Sequence, residues 1–317
     1  MTAAVAPLAD LADGICAGDQ RAVARALTLV ETGSAHLSAL LDRLPPTREP
    51  ELIGVTGPPG VGKSTLVNRL VTVYRGHGRR VAVLAVDPSS PTGRGALLGD
   101  RLRMAEHVGD DGVFVRSLAA RGHLGGLAAA VPPSLRVLDA AGFDVVLLET
   151  VGVGQSEVEV AAMVDTTVVT VAPGLGDDVQ ADKAGVLEIA DVLVVNRADA
   201  DGAARTANQL RQALHLGAVP ADDDWPVPVL LTSALSGEGV DELVAAVARH
   251  TAWARARERP VGQRDLGRAV LAHVERWLAS APGQAALRAA GDHPDVDAAV
   301  AHVVTVLSET PGMKEET

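Results

Sequence analysis

Aromatic residues are scarce in the 317-residue chain: two Phe, three Trp and one Tyr make up only 2% of it. An interior with so few rings has to be filled by Val, Leu, Ala and Ile, and apolar residues together reach 47%. Cysteine is scarcer still. Cys16 stands alone, which excludes an intramolecular disulfide and suits a reducing compartment; a small core filler on a helix is its expected role. Positive charge is in deficit, with 28 Lys and Arg against 40 Asp and Glu and a formal net charge of −12. That balance argues against a general nucleic-acid or anionic-membrane surface, since either needs clustered Lys and Arg. Nowhere do apolar residues run uninterrupted for the roughly 18 positions of a membrane span. Met1 to Asp10 lacks the basic patch and apolar stretch of a signal peptide. A soluble, cytoplasmic protein with no membrane or nucleic-acid partner is the expectation.

The length is enough to bury a sizeable core in one large or two modest domains. Three regions separate by pattern. Residues 1–47 read as an N-terminal helical segment, with Asp19 as N-cap and Val23, Ala26, Leu27 and Val30 on one face. Pro45-Pro46 ends it. Residues 48–250 alternate Val/Leu-rich runs with helical stretches; the runs are 52–56, 81–86, 113–116, 145–149, 167–171, 192–196 and 227–232. Continuous apolarity marks strands covered on both faces, hence an α/β fold with a mainly parallel sheet. Val113 to Arg116 is the least apolar of these runs. Residues 251–317 turn helical again, with stripes Leu266, Val270, Val274, Trp277 and Val296, Val300, Val303, Leu307, the second capped by Asp295. This extension either packs on the domain's flank or forms a homodimer interface. The last ten residues, SETPGMKEET, are expected to be disordered.

What the chain does contain is a complete G-x-x-x-x-G-K-S: Gly57-Pro58-Pro59-Gly60-Val61-Gly62-Lys63-Ser64. The strand at 52–56 runs into it, and a helix from Thr65 to Tyr74 leaves it. Backbone N–H groups closing onto a helix N-terminus wrap the phosphates of a nucleotide. Lys63 reaches the outer phosphates, and the Ser64 hydroxyl is placed for Mg²⁺. The motif predicts a P-loop nucleoside triphosphatase.

In parallel sheets the ligand lies beyond the carboxyl ends of the strands, and each informative polar residue downstream follows a strand. Asp87 closes 81–86, where a carboxylate either holds Mg²⁺ or begins a turn before Pro88; the neighbouring P-loop favours the metal. Asp100 is either a second carboxylate or a helix cap, and spacing alone does not choose. Glu149 follows 145–148 and leads into Thr150-Val151-Gly152. An acid there orients Mg²⁺ or its water, and Gly152 lets the backbone approach a γ-phosphate. Val153 stands where Ras-like GTPases carry the glutamine that orients attacking water, so slow intrinsic hydrolysis is expected; Gln155 is the nearest substitute. Asn196-Arg197-Ala198-Asp199 is close to the guanine-reading N-K-x-D, and a helix-capping turn is its alternative reading. A carboxylate at 199 accepts from the ring N–H and exocyclic amine of guanine, a donor pair adenine lacks. Ser233-Ala234-Leu235 follows the last strand, where backbone amides would face the guanine oxygen. In this order the motifs favour GTP over ATP. Arg121 to Leu127 is a second glycine-rich loop, and Asp177-Asp178 is an acidic pair; neither is assigned chemistry.

Segments 85–104 (AVDPSSPTGRGALLGDRLRM), 121–127 (RGHLGGL) and 149–165 (ETVGVGQSEVEVAAMVD), with the NRAD and SAL motifs, resemble MeaB/ArgK-type GTPases, the methylmalonyl-CoA mutase-associated GTPases. The resemblance spans roughly residues 20 to 250. It implies a P-loop GTPase of the signal-recognition-particle-like class that converts GTP to GDP and phosphate. It also implies a C-terminal extension used in homodimerisation, and a chaperone role for adenosylcobalamin-dependent acyl-CoA mutases, gating cofactor delivery and protecting the mutase. By the same resemblance Ser64, Asp100 and Glu149 would bind Mg²⁺. Asp87 and Thr150 would serve a second, partner-dependent metal position, and Arg103 would contact the nucleotide. Asn196 and Asp199 would read guanine, with Arg197 in place of the usual lysine. Two alternatives stand beside this reading. A metallochaperone GTPase would need a Cys/His cluster, which one cysteine and nine scattered histidines do not suggest. A small-molecule kinase would need an acceptor pocket.

Overall fold

The computed structural model describes residues 8–34, 36–46, 48–87, 105–107, 109–119, 126–150, 160–161, 163–174, 189–217, 225–257, 285–286 and 289. Strands β1 (Glu51–Thr56), β2 (Val81–Asp87), β3 (Val113–Ala119), β4 (Val145–Thr150), β5 (Thr166–Val171), β6 (Val192–Val195) and β7 (Val229–Leu231) form a seven-stranded sheet in the order β3-β2-β4-β1-β5-β6-β7. Every neighbouring pair is parallel. Each apolar run proposed as a strand is one, and 113–116 extends to a seven-residue strand. β1 and β4 are buried at every position, as continuous apolarity requires of strands covered on both faces.

Helices α1 (Leu8–Cys16), α2 (Gln20–Glu31), α3 (Leu37–Leu41) and α5 (Gly126–Ala140) lie over one face of the sheet; α4 (Lys63–Gly76) and α7 (Val240–Arg257) lie over the other, and α6 (Ala203–Gly217) packs at the β6–β7 side. Leu11, Ile15, Val23 and Leu27 share a core with Leu84, Val146 and Leu148. Across the sheet Leu66, Leu70, Leu243 and Val247 pack with Ile53, Val55 and Leu147. The N-terminal helices therefore contribute directly to the sheet's core, each buried Leu or Val adding about 1.5–3 kcal/mol. Asp19 caps α2, its carboxylate accepting from the Arg21 amide at 2.8 Å, and Val23, Ala26, Leu27 and Val30 are all buried. Arg116 on the edge strand β3 pairs with Glu31 at 2.6 Å, and Gln20 Nε2 donates to the Val113 carbonyl at 3.2 Å. These bonds tie α2 to the sheet edge. Cys16 departs from expectation: it ends α1 on the outer side and is exposed.

Most of the few aromatics serve the core rather than the carboxyl ends of the strands. Trp225 and Trp253 flank the buried His250, with ring centroids 4.9 and 5.6 Å from its own. His250 bonds Thr166 and Asp191, which open or precede β5 and β6. α7 runs through residue 250 to Arg257; the two C-terminal stripes and the acidic tail lie outside the described residues.

Candidate nucleotide site

β1 occupies the centre of the sheet between β4 and β5, and the P-loop leaves its carboxyl end. The loop needs glycine at two close approaches. Gly57 has φ +135°, and a Cβ there would lie 2.0 Å from the Thr170 carbonyl oxygen at the end of β5. Gly62 has φ +94°, with a Cβ position 2.5 Å from Asn196 Nδ2. Gly57→Ala is expected to destabilise the protein by at least about 3 kcal/mol, because left-handed strain and a backbone clash coincide. The fall in the denaturant midpoint, at unchanged slope, checks this.

α4 begins at Lys63 directly after Gly62 without a side-chain cap. Its first-turn amides, including those of Ser64 and the exposed Thr65, thus project where a phosphate would be bound. Lys63 is only 6% exposed, and its ammonium donates to the carbonyls of Gly57 (2.6 Å) and Pro58 (3.0 Å). That geometry holds the charge over the loop. Pro59 and Gly60 form the exposed outer side, and Val61 is buried beneath.

Glu149 sits in register with Val55, one strand from the P-loop. It is 8% exposed, and Ser64 Oγ donates to its Oε1 at 2.5 Å. The two residues named for Mg²⁺ on opposite sides of the loop are therefore in contact. Thr150 is fully buried, its hydroxyl donating to Thr56 Oγ1 at 2.9 Å, which bonds the tips of β4 and β1 together. Asp87 ends β2 opposite Ala119, its side chain lying outside what the structure describes. Asp100, Arg103, Gly152, Val153 and Gln155 lie outside the described residues, as do 121–125 and Asp177-Asp178.

The base-reading motif assembles at the ends of β6 and β7. Asn196, 2% exposed, works as a brace: Nδ2 donates to the Val61 carbonyl at 2.9 Å, and Oδ1 accepts from the Ala234 amide at 3.0 Å. One side chain thus pins the P-loop to the 233–235 loop. Both ends of its amide group, and the Ala234 N–H, make bonds inside the protein. Arg197 has φ +59°, a left-handed conformation costly for a residue with a Cβ, and its guanidinium donates to the Gly60 carbonyl at 2.5 Å. The long side chain spans from the base motif to the phosphate loop. Asp199 is exposed, and its carboxyl is held below the usual carboxylate range, chiefly by a hydrogen bond from the Ser233 hydroxyl, then by the backbone and the Arg197 charge. Leu235 is 76% exposed on the same loop.

Sequence reasoning missed Arg69. From α4 it donates Nε to the Ala234 carbonyl (3.0 Å) and an Nη to the Leu235 carbonyl (2.8 Å). No motif signals it, because an arginine on a half-exposed helix face reads as solvated.

A P-loop after the central strand, an acid at the tip of its neighbour and an aspartate loop at the next strand ends define a P-loop GTPase. Residues 23–277 match the family described as Methylmalonyl Co-A mutase-associated GTPase MeaB, and the chain belongs to that family. It is 41% identical over 238 residues to GTPase ArgK of Escherichia coli, covering 73% of this chain and 72% of that one. It is 38% identical over 248 residues to the mouse (Mus musculus) methylmalonic aciduria type A homolog, mitochondrial, covering 73% of this chain and 60% of the relative. A crystal structure of a LAO/AO transport system kinase superposes with a TM-score of 0.67 at 26% identity, over 96% of this chain and all of the other.

Proposed function

We propose that this GTPase serves as a chaperone of an adenosylcobalamin-dependent acyl-CoA mutase of the methylmalonyl-CoA type, gating loading of the mutase's cofactor and protecting the enzyme. Membership of the mutase-associated family over residues 23–277 is the observation that carries the reading. In it GTP lies with its phosphates in Gly57–Thr65, held by the α4 amides and Lys63, and with guanine against Asp199. Arg197 stacks its stem beside the base, while Ser233, Ala234 and Leu235 frame the base-side loop. Arg103 and Gly152 complete the phosphate side. The protein works in the cytoplasm and dimerises through 251–317. Among the described residues no helix is long and apolar enough to cross a membrane.

The donors fit Mg²⁺. Ser64 and Glu149 are hard oxygen donors in mutual contact beside the phosphate loop; Asp100 would join them, and Asp87 with Thr150 would serve a partner-dependent position. Those residues would hold Mg²⁺, which would supply positive charge to the phosphates. Lys63 supplies the second positive charge, and the trans-loop braces at Asn196 and Arg197 hold the phosphate cradle rigid. Val153 offers no group to orient water, so hydrolysis waits for the partner. A metallochaperone role finds less support: among the described residues no three His, Cys, Asp or Glu side chains cluster to hold a cargo metal.

Turnover of GTP by the purified protein, alone and with an adenosylcobalamin-dependent acyl-CoA mutase, tests the proposal. The expected result is slow basal turnover that the mutase raises at least about tenfold. Unchanged turnover, with no mutase co-purifying from native extracts, would contradict it.

A further inference from the structure

Arg69 spends its charge unusually. Among the described residues it pairs with no carboxylate, and its guanidinium fork instead takes two successive backbone carbonyls, those of Ala234 and Leu235. A bidentate fork fixes direction as well as distance. The loop it grips is closed on itself: the Ser233 amide donates to the Glu238 carbonyl at 2.9 Å, and the Gly237 amide donates back to the Ser233 carbonyl at 2.8 Å. The loop therefore moves as a unit, and its position is set by the groups that hold it from outside. One is Asn196, through the Ala234 amide. The other is Arg69. The loop begins beside the Asp199 motif, because the Ala198 amide donates to the Thr232 carbonyl at 2.9 Å, and Ser233 helps hold the Asp199 carboxyl below the usual carboxylate range.

We propose that Arg69 is a positioning residue for base selectivity, anchoring the 233–238 loop to the phosphate-loop helix so that the loop and the adjoining Asp199 keep a fixed place against the purine. The proposal rests on the reading above in which Asp199 faces guanine. Arg69 itself touches neither base nor phosphate. Its two bonds make the distance between the base-reading loop and α4, whose first turn holds the phosphates, a fixed quantity. The peptide bonds of the described residues are trans, so carbonyls drawn toward α4 turn the following N–H groups, of Leu235 and Ser236, away from it. Loss of the fork frees the loop to shift about Asn196 beside Asp199, while the phosphate cradle, held by Asn196 and Arg197, stays intact.

The test compares binding of GDP and IDP, which differ only in the exocyclic amine that Asp199 would accept. Wild type, Arg69→Met and Arg69→Lys are measured at one Mg²⁺ concentration, with thermal midpoints recorded alongside. Arg69→Met keeps the stem and removes the fork. It is expected to lower the GDP-to-IDP affinity ratio about tenfold, a typical loss for one misaligned hydrogen bond to a charged acceptor, while IDP, which keeps only the ring N–H, loses less. Arg69→Lys, with a single point donor, is expected to give an intermediate ratio, and it carries the test alone if the methionine variant does not fold. A ratio equal to wild type in the folded variants overturns the proposal, even if their midpoints fall, because a purely structural tie costs stability without touching selectivity. A wild-type ratio near one would instead overturn the placement of guanine against Asp199.

Discussion

Lys63→Ala is expected to cost GTP affinity and turnover together, by about 10²- to 10³-fold, the loss typical when one preorganised positive donor is removed from a developing anion. The ammonium sits inside the loop, 6% exposed, on the carbonyls of Gly57 and Pro58. It is thus already paid for in desolvation and ordering before any nucleotide arrives. The fold is not expected to suffer in proportion, because the loop is also held through Val61 by Asn196 and through Gly60 by Arg197. A thermal midpoint within a few degrees of wild type, beside a loss of about 10²-fold or more in GTP binding by calorimetry, would meet this expectation. Collapse of the fold would instead make Lys63 a structural residue.

Asp199→Asn carries the second large effect. A carboxylate accepts from both donors on the guanine edge; an amide accepts one and presents its own N–H₂ to the other. GDP affinity is expected to fall by about 10²- to 10³-fold, the worth of a charged acceptor plus the penalty of two facing donors. A diphosphate of xanthine, which offers a carbonyl where guanine has its amine, is expected to gain. The same carboxylate is expected to set the acid limb of binding. Its pKa is lowered in the fold, first by the Ser233 hydroxyl, so the ionised form contributes throughout neutral and mildly acidic pH and is lost only as pH falls through that lowered value. Ser233→Ala is expected to move the acid limb of GDP binding upward toward the ordinary carboxylate range. GDP and xanthosine diphosphate titrations across pH check both statements.

The strands and the P-loop were legible because their signals are local. Six of the runs are almost wholly apolar, and G-x-x-x-x-G-K-S carries its own turn chemistry. β3 was the hardest to read, since Arg116 and Ser117 interrupt it, and only the fold reveals that Arg116 is neutralised by Glu31 on α2. Cys16 was misplaced because it ends a helix, where one residue of phase decides between core and solvent. The roles of Asn196 and Arg69 were out of reach for a different reason. Positions 61, 196 and 234 meet only after β1, β6 and β7 have been ordered in the sheet, and nothing local marks an asparagine as a brace. Arg69 needs the same long-range closure, from α4 to the loop before α7. Position 197 was read as a departure from lysine, and the fold adds that its longer reach is used, on Gly60.

Side chains bolt the phosphate and base halves of the proposed guanine nucleotide site together. Thermal unfolding in excess GDP and, separately, in ADP at the same concentration tests it most directly. At a concentration 100-fold above the dissociation constant a ligand adds about 2.7 kcal/mol to the folded state, so GDP is expected to raise the midpoint by several degrees while ADP leaves it near the nucleotide-free value. Equal shifts with the two nucleotides would contradict the account.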